Sequence, residues 1–93
     1  MYIQDNKIKI TYASSATEED IQKLIADLKK NITEEIDIIQ IDNEDMPISL
    51  LFYFVDLLRN SEIELHVNPI LFSRLQKIID AELFQNQIRI VHE

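Results

Sequence analysis

The sequence predicts a two-layer α/β domain in which a mixed sheet of about five strands carries three helices mainly on one face. Alternating apolar and polar segments are interleaved with segments whose apolar residues recur at i, i+3, i+4 and i+7, in the order ββαβαβαβ. Such interleaving favours parallel strands joined by right-handed crossovers. Strands that helices cover on both faces are apolar throughout. Lys7–Tyr12, Glu62–Val67 and much of Gln87–Val91 alternate instead, so we expect the other face of the sheet to be largely open to solvent.

The first half of the chain predicts a hairpin, a helix and a strand. Asp5-Asn6 separates Tyr2–Gln4 from Lys7–Tyr12 as the turn of the hairpin. Ser14–Thr17 supplies helix caps, and three carboxylates follow in the first helical turn, where they favour the positive end of the helix dipole. The isoleucine-rich segment Glu35–Asp42 then predicts a strand. The apolar stripe of the first helix consists of Ile21, Leu24, Ile25 and Leu28.

The second half predicts two further helices, each followed by a strand. A helix is expected from Pro47 to about Asn60, because proline is well tolerated in a first helical turn. Glu62–Val67 alternates strictly and predicts the next strand. Asn68 caps a third helix over Pro69–Phe84, and Gln87–Val91 predicts the last strand. The apolar stripe of the third helix consists of Leu71, Leu75, Ile78 and Ile79.

Length and composition predict a single domain over residues 1–93 and exclude several kinds of site. The chain has 93 residues, of which 46% are hydrophobic, so it can bury one core. Without cysteine it has no disulfide, no thiolate zinc site and no thiol nucleophile. Without glycine it has neither a P-loop nor a Rossmann fingerprint, since both need close approach of the backbone to phosphate.

The charge and the hydropathy exclude two classes of partner. The net charge of −8 repels phosphate backbones and anionic lipid, so we expect no binding to nucleic acid. The longest apolar stretch, Leu50–Val55, is far too short to cross a membrane. We expect neither a signal peptide nor membrane insertion, and we expect a cytoplasmic location.

The central part of the chain has a strand, a turn and a leucine-rich helix in close succession. Ile36–Asn43 is the strand, Asp45-Met46-Pro47-Ile48 the turn and Ser49–Leu58 the helix. With the elements before and after them, these segments resemble a STAS domain, the family of anti-sigma-factor antagonists, over nearly the whole chain. The resemblance implies a protein-interaction module whose partner is a regulatory kinase or a transporter or signalling subunit.

The turn departs from the family pattern in a way that bears on regulation. Many STAS domains have an Asp-Ser-Ser-Gly turn in which a partner kinase phosphorylates a serine. Aligned on Asp45, the hydroxyl positions hold Met46 and Pro47, and the glycine position holds Ile48. Neither methionine nor proline can accept a phosphoryl group, so the resemblance implies that this chain lacks the usual switch. A shift of one turn would instead make Ser49 the acceptor.

The second helix has a wider apolar arc than one buried face requires. Either neighbouring helices cover the borders of this arc, or the borders form a partner or dimer contact centred on Phe52 and Tyr53. The thin polar stripe, at about 100° per residue, consists of Ser49, Tyr53, Asp56 and Asn60. The residues expected to face the sheet are Leu51, Phe54, Val55 and Leu58, and those at the borders are Leu50, Phe52 and Leu57.

Two further sets of titratable residues have alternative interpretations. Asp42, Glu44 and Asp45 follow the carboxyl end of a strand, where open α/β sheets often bind ligands. Either this loop binds a small ligand or a hard cation, or it is a solvated acidic loop whose Asp45 favours the start of the second helix. His66 and His92 have no evident carboxylate or cysteine partner nearby in sequence, and we expect both on the open face of the sheet.

These observations predict a non-catalytic interaction module without metal or cofactor, because the sequence offers no nucleophile with a matching base. We expect the partner to be another protein or a second copy of this chain. The alternative is a small-ligand or nucleotide sensor that binds at the carboxyl ends of the strands. The residues predicted to bind the partner are Asp45, Met46, Pro47, Ile48, Ser49, Phe52 and Tyr53.

Overall fold

The computed structural model of the protein describes residues 1–79 and 89–92, and its elements occur in the predicted order. The third helix ends before residue 79 and does not run unbroken to Phe84; residue 84 and the predicted strand start at Gln87 lie outside the described residues. The strands are β1 (Tyr2–Gln4), β2 (Lys7–Ile10), β3 (Ile38–Ile41), β4 (Glu64–Val67) and β5 (Arg89–His92). The helices are α1 (Glu18–Asn31), α2 (Ile48–Arg59) and α3 (Pro69–Ile78).

The five strands of the described residues form one mixed sheet in the order β1-β2-β3-β4-β5. β1 is antiparallel to β2, and the other neighbours are parallel. Because each parallel strand is added on the same side of the preceding one, right-handed crossovers place α1, α2 and α3 on the same face. The register aligns Ile8, Ile39 and Leu65 in one row, and all three are fully buried. The predicted two-layer architecture is confirmed.

No helix among residues 1–79 and 89–92 buries the opposite face of the sheet. Its middle row contains Lys9, Gln40 and His66, and none of the three is buried. The His66 ring lies 3.1 Å from a carboxylate oxygen of Glu64, so the expectation that this histidine lacks a carboxylate partner is wrong. The expectation that His92 lies on the open face of the sheet is wrong. Its ring lies against that of Phe72 on the helix side, with centroids 4.4 Å apart.

The core between sheet and helices consists of apolar side chains alone, as far as the described residues go. The predicted stripe of α1 is buried at Ile21, Ile25 and Leu28. The stripe of α3 is buried at Leu71 and Leu75, whereas Ile78, predicted to belong to it, is 63% exposed. The residues that α2 buries are Leu50, Leu51, Phe54 and Leu58.

Polar residues form the hairpin turn and the helix caps of this glycine-free chain. Asp5 adopts a positive φ of 54° in the hairpin turn, a conformation that aspartate tolerates better than most residues with a Cβ atom. Thr17 and Asp20 form a reciprocal capping box at the start of α1. The Asn68 side chain caps α3 by accepting a hydrogen bond of 2.8 Å from the Leu71 amide. These caps fix where both helices begin.

Candidate partner-binding site

The loop between β3 and α2, residues 42–47, is held in place by side-chain hydrogen bonds with two neighbouring segments. The Asn43 side chain accepts a hydrogen bond of 3.2 Å from the Tyr12 amide and donates one of 2.6 Å to the Tyr12 carbonyl. The side-chain amide of Asn68 donates to the backbone carbonyls of Asp42 and Asn43, at 3.1 Å each. One asparagine thus joins this loop to the end of β2, and the other joins it to the start of α3.

Asp45 is the second point at which this loop is fixed. The Tyr12 hydroxyl donates to the Asp45 carbonyl at 2.5 Å, and burial of the phenol, with a smaller effect of the Asp45 charge, raises the pKa of Tyr12. The Arg74 guanidinium donates to the Glu44 carbonyl at 3.1 Å and pairs with the Asp45 carboxylate. The carboxylate of Asp45 therefore binds α3, and the expectation that it favours the start of α2 is not what the structure shows.

The three acidic residues of the loop do not form one cluster. Asp42 turns towards the open face, where it pairs with Lys9 at 3.9 Å and accepts a hydrogen bond from Gln40 at 2.8 Å. Asp45 is paired with Arg74, and Glu44 is exposed. Within residues 1–79 and 89–92, no three histidine, aspartate or glutamate side chains lie close enough together to hold a metal ion.

A cleft lies beside this loop at the carboxyl ends of β2 and β3, the edge at which open α/β sheets often bind ligands. Its volume is about 470 Å³, which is within the range of small-molecule sites. Several of its polar groups are already hydrogen-bonded to one another, as described for Tyr12, Asn43 and Asp45. Its remaining lining includes the apolar residues Ala13, Ala16, Met46 and Pro47.

The residues that the sequence aligns with the STAS turn precede α2, except Ile48, which is its first residue. Pro47 is the N-cap residue and makes no side-chain cap, so α2 begins one residue later than predicted. The Ser49 hydroxyl donates to a carboxylate oxygen of Glu18 in α1 at 3.2 Å. Ile48 points away from α1 and is 65% exposed, whereas Met46 is partly buried against the core.

The two aromatic residues predicted to centre the contact face different sides of α2. Phe52 is 67% exposed. Tyr53 is partly buried: its ring lies 5.6 Å from that of Phe54, and the Lys29 ammonium lies 5.8 Å from its centroid. Burial raises the pKa of the Tyr53 phenol. Tyr53 thus belongs to the contact between α1 and α2, and Phe52 is the residue accessible to a partner.

The buried arc of α2 is rotated towards α1 relative to the prediction. Leu50, predicted at an exposed border, is fully buried, and Leu57 is partly buried. Val55, predicted to face the sheet, is only partly buried. The rotation follows from the close packing of α1 on α2, which covers one flank of α2. The opposite flank, on the side of α3, is left with Ile48 and Phe52 accessible.

Residues of α3 complete this exposed flank, and the sequence interpretation missed them. Ile70, Arg74 and Ile78 follow one another at i, i+4 and i+8, so they share one side of α3. The pairing of Arg74 with Asp45 shows that this side of α3 faces the loop that precedes α2. A second stripe beside that of Leu71 and Leu75 was the available signal. We call Ile48, Phe52 and Arg59 of α2 with Ile70, Arg74 and Ile78 of α3 the α2–α3 surface.

The α2–α3 surface holds half of the large exposed hydrophobic residues found in the described part of the chain. Four of these eight residues, at 45% exposure or more in each case, lie on α2 or α3, and α1 has none. The other four lie on or beside the edge strands β1 and β5. The outer surface of the helical layer is therefore polar at α1 and apolar at the flank shared by α2 and α3.

The fold is a two-layer α/β domain. The candidate site consists of a loop held by hydrogen bonds and an exposed apolar helix flank beside it. No protein-family model, no curated protein and no solved structure matches this chain. None of the helices formed by residues 1–79 is long and apolar enough to cross a membrane.

Proposed function

We propose that this chain is a non-catalytic protein-interaction module resembling the anti-sigma-factor antagonists, and that it binds a regulatory kinase or a transporter or signalling subunit. The contact is the segment Asp45–Tyr53, with Ile48 and Phe52 as the residues that enter the interface. The observation that supports this proposal best is the exposure of these two side chains, at 65% and 67%, one turn apart on α2.

The setting of these side chains suits an interface. Burial of an aromatic side chain removes about 150–250 Å² from water, and aromatic residues are frequent among those that dominate binding energy. The loop before α2 is already fixed by Asn43, Asn68 and Arg74, so little conformational entropy remains to be lost there on binding. A rigid apolar ridge is thereby presented to a partner.

We also propose that the chain lacks the serine switch of the STAS domains that it resembles. Met46 and Pro47 occupy the hydroxyl positions of the turn. Ser49, the alternative acceptor, is partly buried and its hydroxyl donates to the Glu18 carboxylate. A phosphate at that position would lie against a like charge, which disfavours it. Phosphate-affinity gels after incubation with the cognate kinase test this. A shifted band that is absent from the Ser49→Ala variant would show that Ser49 is phosphorylated and would contradict the proposal.

The interaction is tested by affinity purification from the native cell with two matched variants. Phe52→Glu places a charge in the proposed contact, and Tyr2→Glu places one on an aromatic residue that is 59% exposed on β1. We expect both variants to melt at the wild-type temperature, since surface changes usually cost within about 0.5 kcal/mol. The partner should be lost with Phe52→Glu and kept with Tyr2→Glu. Equal retention by both variants would contradict the proposal.

The second candidate function is a small-ligand or nucleotide sensor, and the cleft of about 470 Å³ beside Tyr12 and Met46 is the observation that favours it. A ligand in this cleft would contact the loop that precedes α2. A thermal-shift screen against nucleotides and divalent cations separates the two functions. A ligand that raises the melting temperature of wild type but not of a Met46→Trp variant, in which the cleft is filled, would favour the sensor.

A further inference from the structure

The outer edge of β1 is unpaired within the described residues and is uncharged. β1 is the first strand of the sheet, and its only neighbour among the described strands is β2. An edge strand presents a row of free N–H and C=O groups, which proteins commonly protect with charged residues or proline. β1 has neither, since Tyr2 and Ile3 are 59% and 45% exposed and Gln4 is uncharged. The edge is therefore accessible to another strand.

The backbone groups that face this edge are those of Ile3. The Asn6 carbonyl accepts a hydrogen bond of 3.2 Å from the Ile38 amide, so the backbone of Asn6 faces β3. Because successive residues of a strand direct their N–H and C=O groups to opposite edges, Lys7 faces β1 and Ile8 faces β3. Ile3 stands opposite Ile8 and receives no hydrogen bond from it. The N–H and C=O groups of Ile3 therefore both point away from β2.

The side chains beside these groups add no negative charge to the edge. Ile3 stands opposite the fully buried Ile8, so its side chain lies on the helix side of the sheet. Tyr2 and Gln4 stand opposite the two lysines of β2 and lie on the open face. Neither β1 nor β2 contains an acidic residue. This edge thus differs from the acidic surface of the chain as a whole.

From these observations we infer that two copies of the chain pair antiparallel through β1, so that their five-stranded sheets become one continuous sheet. Ile3 lies beside the two-fold axis and exchanges two hydrogen bonds with the Ile3 of the second copy. Tyr2 of each copy stands opposite Gln4 of the other. The inference goes beyond the proposed function, because it uses the edge of the sheet and leaves the exposed flank of α2 free.

A second copy fits this edge because the edge is complementary to itself. A two-fold contact places the same segment of each copy against the other. When that contact is centred on Ile3, the outward donor and acceptor of each copy meet the acceptor and donor of the other, as in any hydrogen-bonded antiparallel pair. The same rotation uses the free edge of both β1 strands. The contact therefore closes as a dimer.

The size and charge of the contact predict a weak dimer that salt strengthens. β1 has three residues, so the contact is far smaller than the roughly 800 Å² per partner of stable complexes, and we expect a dissociation constant on the order of 100 μM. Each chain has a net charge of −8, and Asp5 lies in the turn beside the contact, so the copies repel at long range. Salt screens this repulsion. The dimer should tighten by at least about threefold between roughly 0.05 and 0.5 M sodium chloride.

Single-cysteine variants test the register, because the chain has no cysteine of its own. Hydrogen-bonded antiparallel pairs have Cα atoms about 5.5 Å apart, within the range of about 4.4–6.8 Å that a disulfide spans. Ile3→Cys should therefore give a disulfide-linked dimer on mild oxidation. Tyr2→Cys alone should not, since its two Cα atoms would lie roughly 8 Å apart. A mixture of Tyr2→Cys and Gln4→Cys should, because these positions stand opposite each other.

Sedimentation equilibrium tests the hydrogen bonds at the axis. Proline is tolerated in an edge strand where the missing N–H would face solvent, so Ile3→Pro should fold and weaken the dimer by at least about tenfold. Ile3→Val keeps the N–H and the branched side chain and should associate like wild type. Phe52→Glu, which should lose the cellular partner, should keep the dimer. Circular dichroism and melting temperature show which variants are folded.

Three results would overturn the inference. These are a monomer at about ten times the expected dissociation constant in high salt, oxidation of Tyr2→Cys as readily as of Ile3→Cys, and an undiminished dimer in folded Ile3→Pro. If Ile3→Pro does not fold, the cysteine variants decide. A dimer that Phe52→Glu dissociates would move the contact to α2. Loss of the cellular partner with folded Ile3→Pro, in a chain that stays monomeric, would replace the second copy with a strand of that partner.

Discussion

Phe52 and Phe54 lie two residues apart in α2, and truncation of each should have a very different effect on stability. Phe54 is fully buried among the sheet and the helices, whereas Phe52 is 67% exposed. Phe54→Ala removes a packed ring and leaves a cavity, which costs about 3–5 kcal/mol. A domain of this kind has a free energy of unfolding of about 5–15 kcal/mol, so the loss is a large part of the total. Phe52→Ala removes a ring already mostly in water and introduces a better helix former, so we expect a change within about 0.5 kcal/mol.

Urea unfolding followed by far-ultraviolet circular dichroism measures both effects at one protein concentration. The unfolding midpoint should fall markedly for Phe54→Ala and stay near wild type for Phe52→Ala, and an unchanged slope shows that the unfolded states are comparable. A loss of about 2 kcal/mol or more in Phe52→Ala would show that Phe52 is a core residue and would refute its assignment to the surface. A wild-type midpoint for Phe54→Ala would refute the core described for α2.

Three further substitutions test how loops and caps hold the site. Asp5→Val should lower the free energy of unfolding by about 1–2 kcal/mol, because a β-branched residue resists the positive φ of the hairpin turn, whereas Asp5→Gly should not; urea midpoints decide it. The capping-box hydrogen bonds with Thr17 lower the pKa of Asp20, so its contribution to stability is present above the pKa of the unfolded chain and is lost as the pH falls through the folded pKa. Asp20→Asn should therefore flatten the acid side of the stability profile, and an unchanged profile would contradict this. Burial raises the pKa of Tyr12, so its contribution to the free energy of unfolding is complete below the ordinary tyrosine range and is lost as the pH rises through the folded pKa. We expect Tyr12 to be the last phenol to ionise in an absorbance titration. If Tyr12→Phe does not remove that last step, the assignment is contradicted.

The fold could be predicted from the sequence because its determinants are local. The alternation in β2 and β4, the stripe of α1 and the caps at Thr17 and Asn68 are each encoded within a few residues. Sequential strand order with right-handed crossovers then leaves one arrangement of the helices. Local patterns were less reliable at the ends of the strands: β2 ends at Ile10 and not at Tyr12, and β4 begins at Glu64 and not at Glu62.

The site was predicted in part, because two of its features depend on contacts between distant segments. Which flank of α2 is covered depends on how closely α1 and α3 approach it, and the sequence pattern could not assign Leu50 to the core or Ile78 to the surface. The pairing of Asp45 with Arg74 joins residues 29 positions apart, so no spacing rule pointed to it. The sequence left open whether the borders of the α2 arc are covered; the structure leaves Phe52 accessible and covers Leu50, another border residue.

Photo-crosslinking in the native cell tests most directly whether the exposed flank of α2 is a partner contact. Benzoylphenylalanine is placed at position 52 in one variant and at position 2, on β1, in a second, and the cross-linked products are identified by mass spectrometry. The proposed function predicts one discrete product from position 52 that is absent from position 2. Absence of a product at position 52, or the same product from both positions, would contradict it.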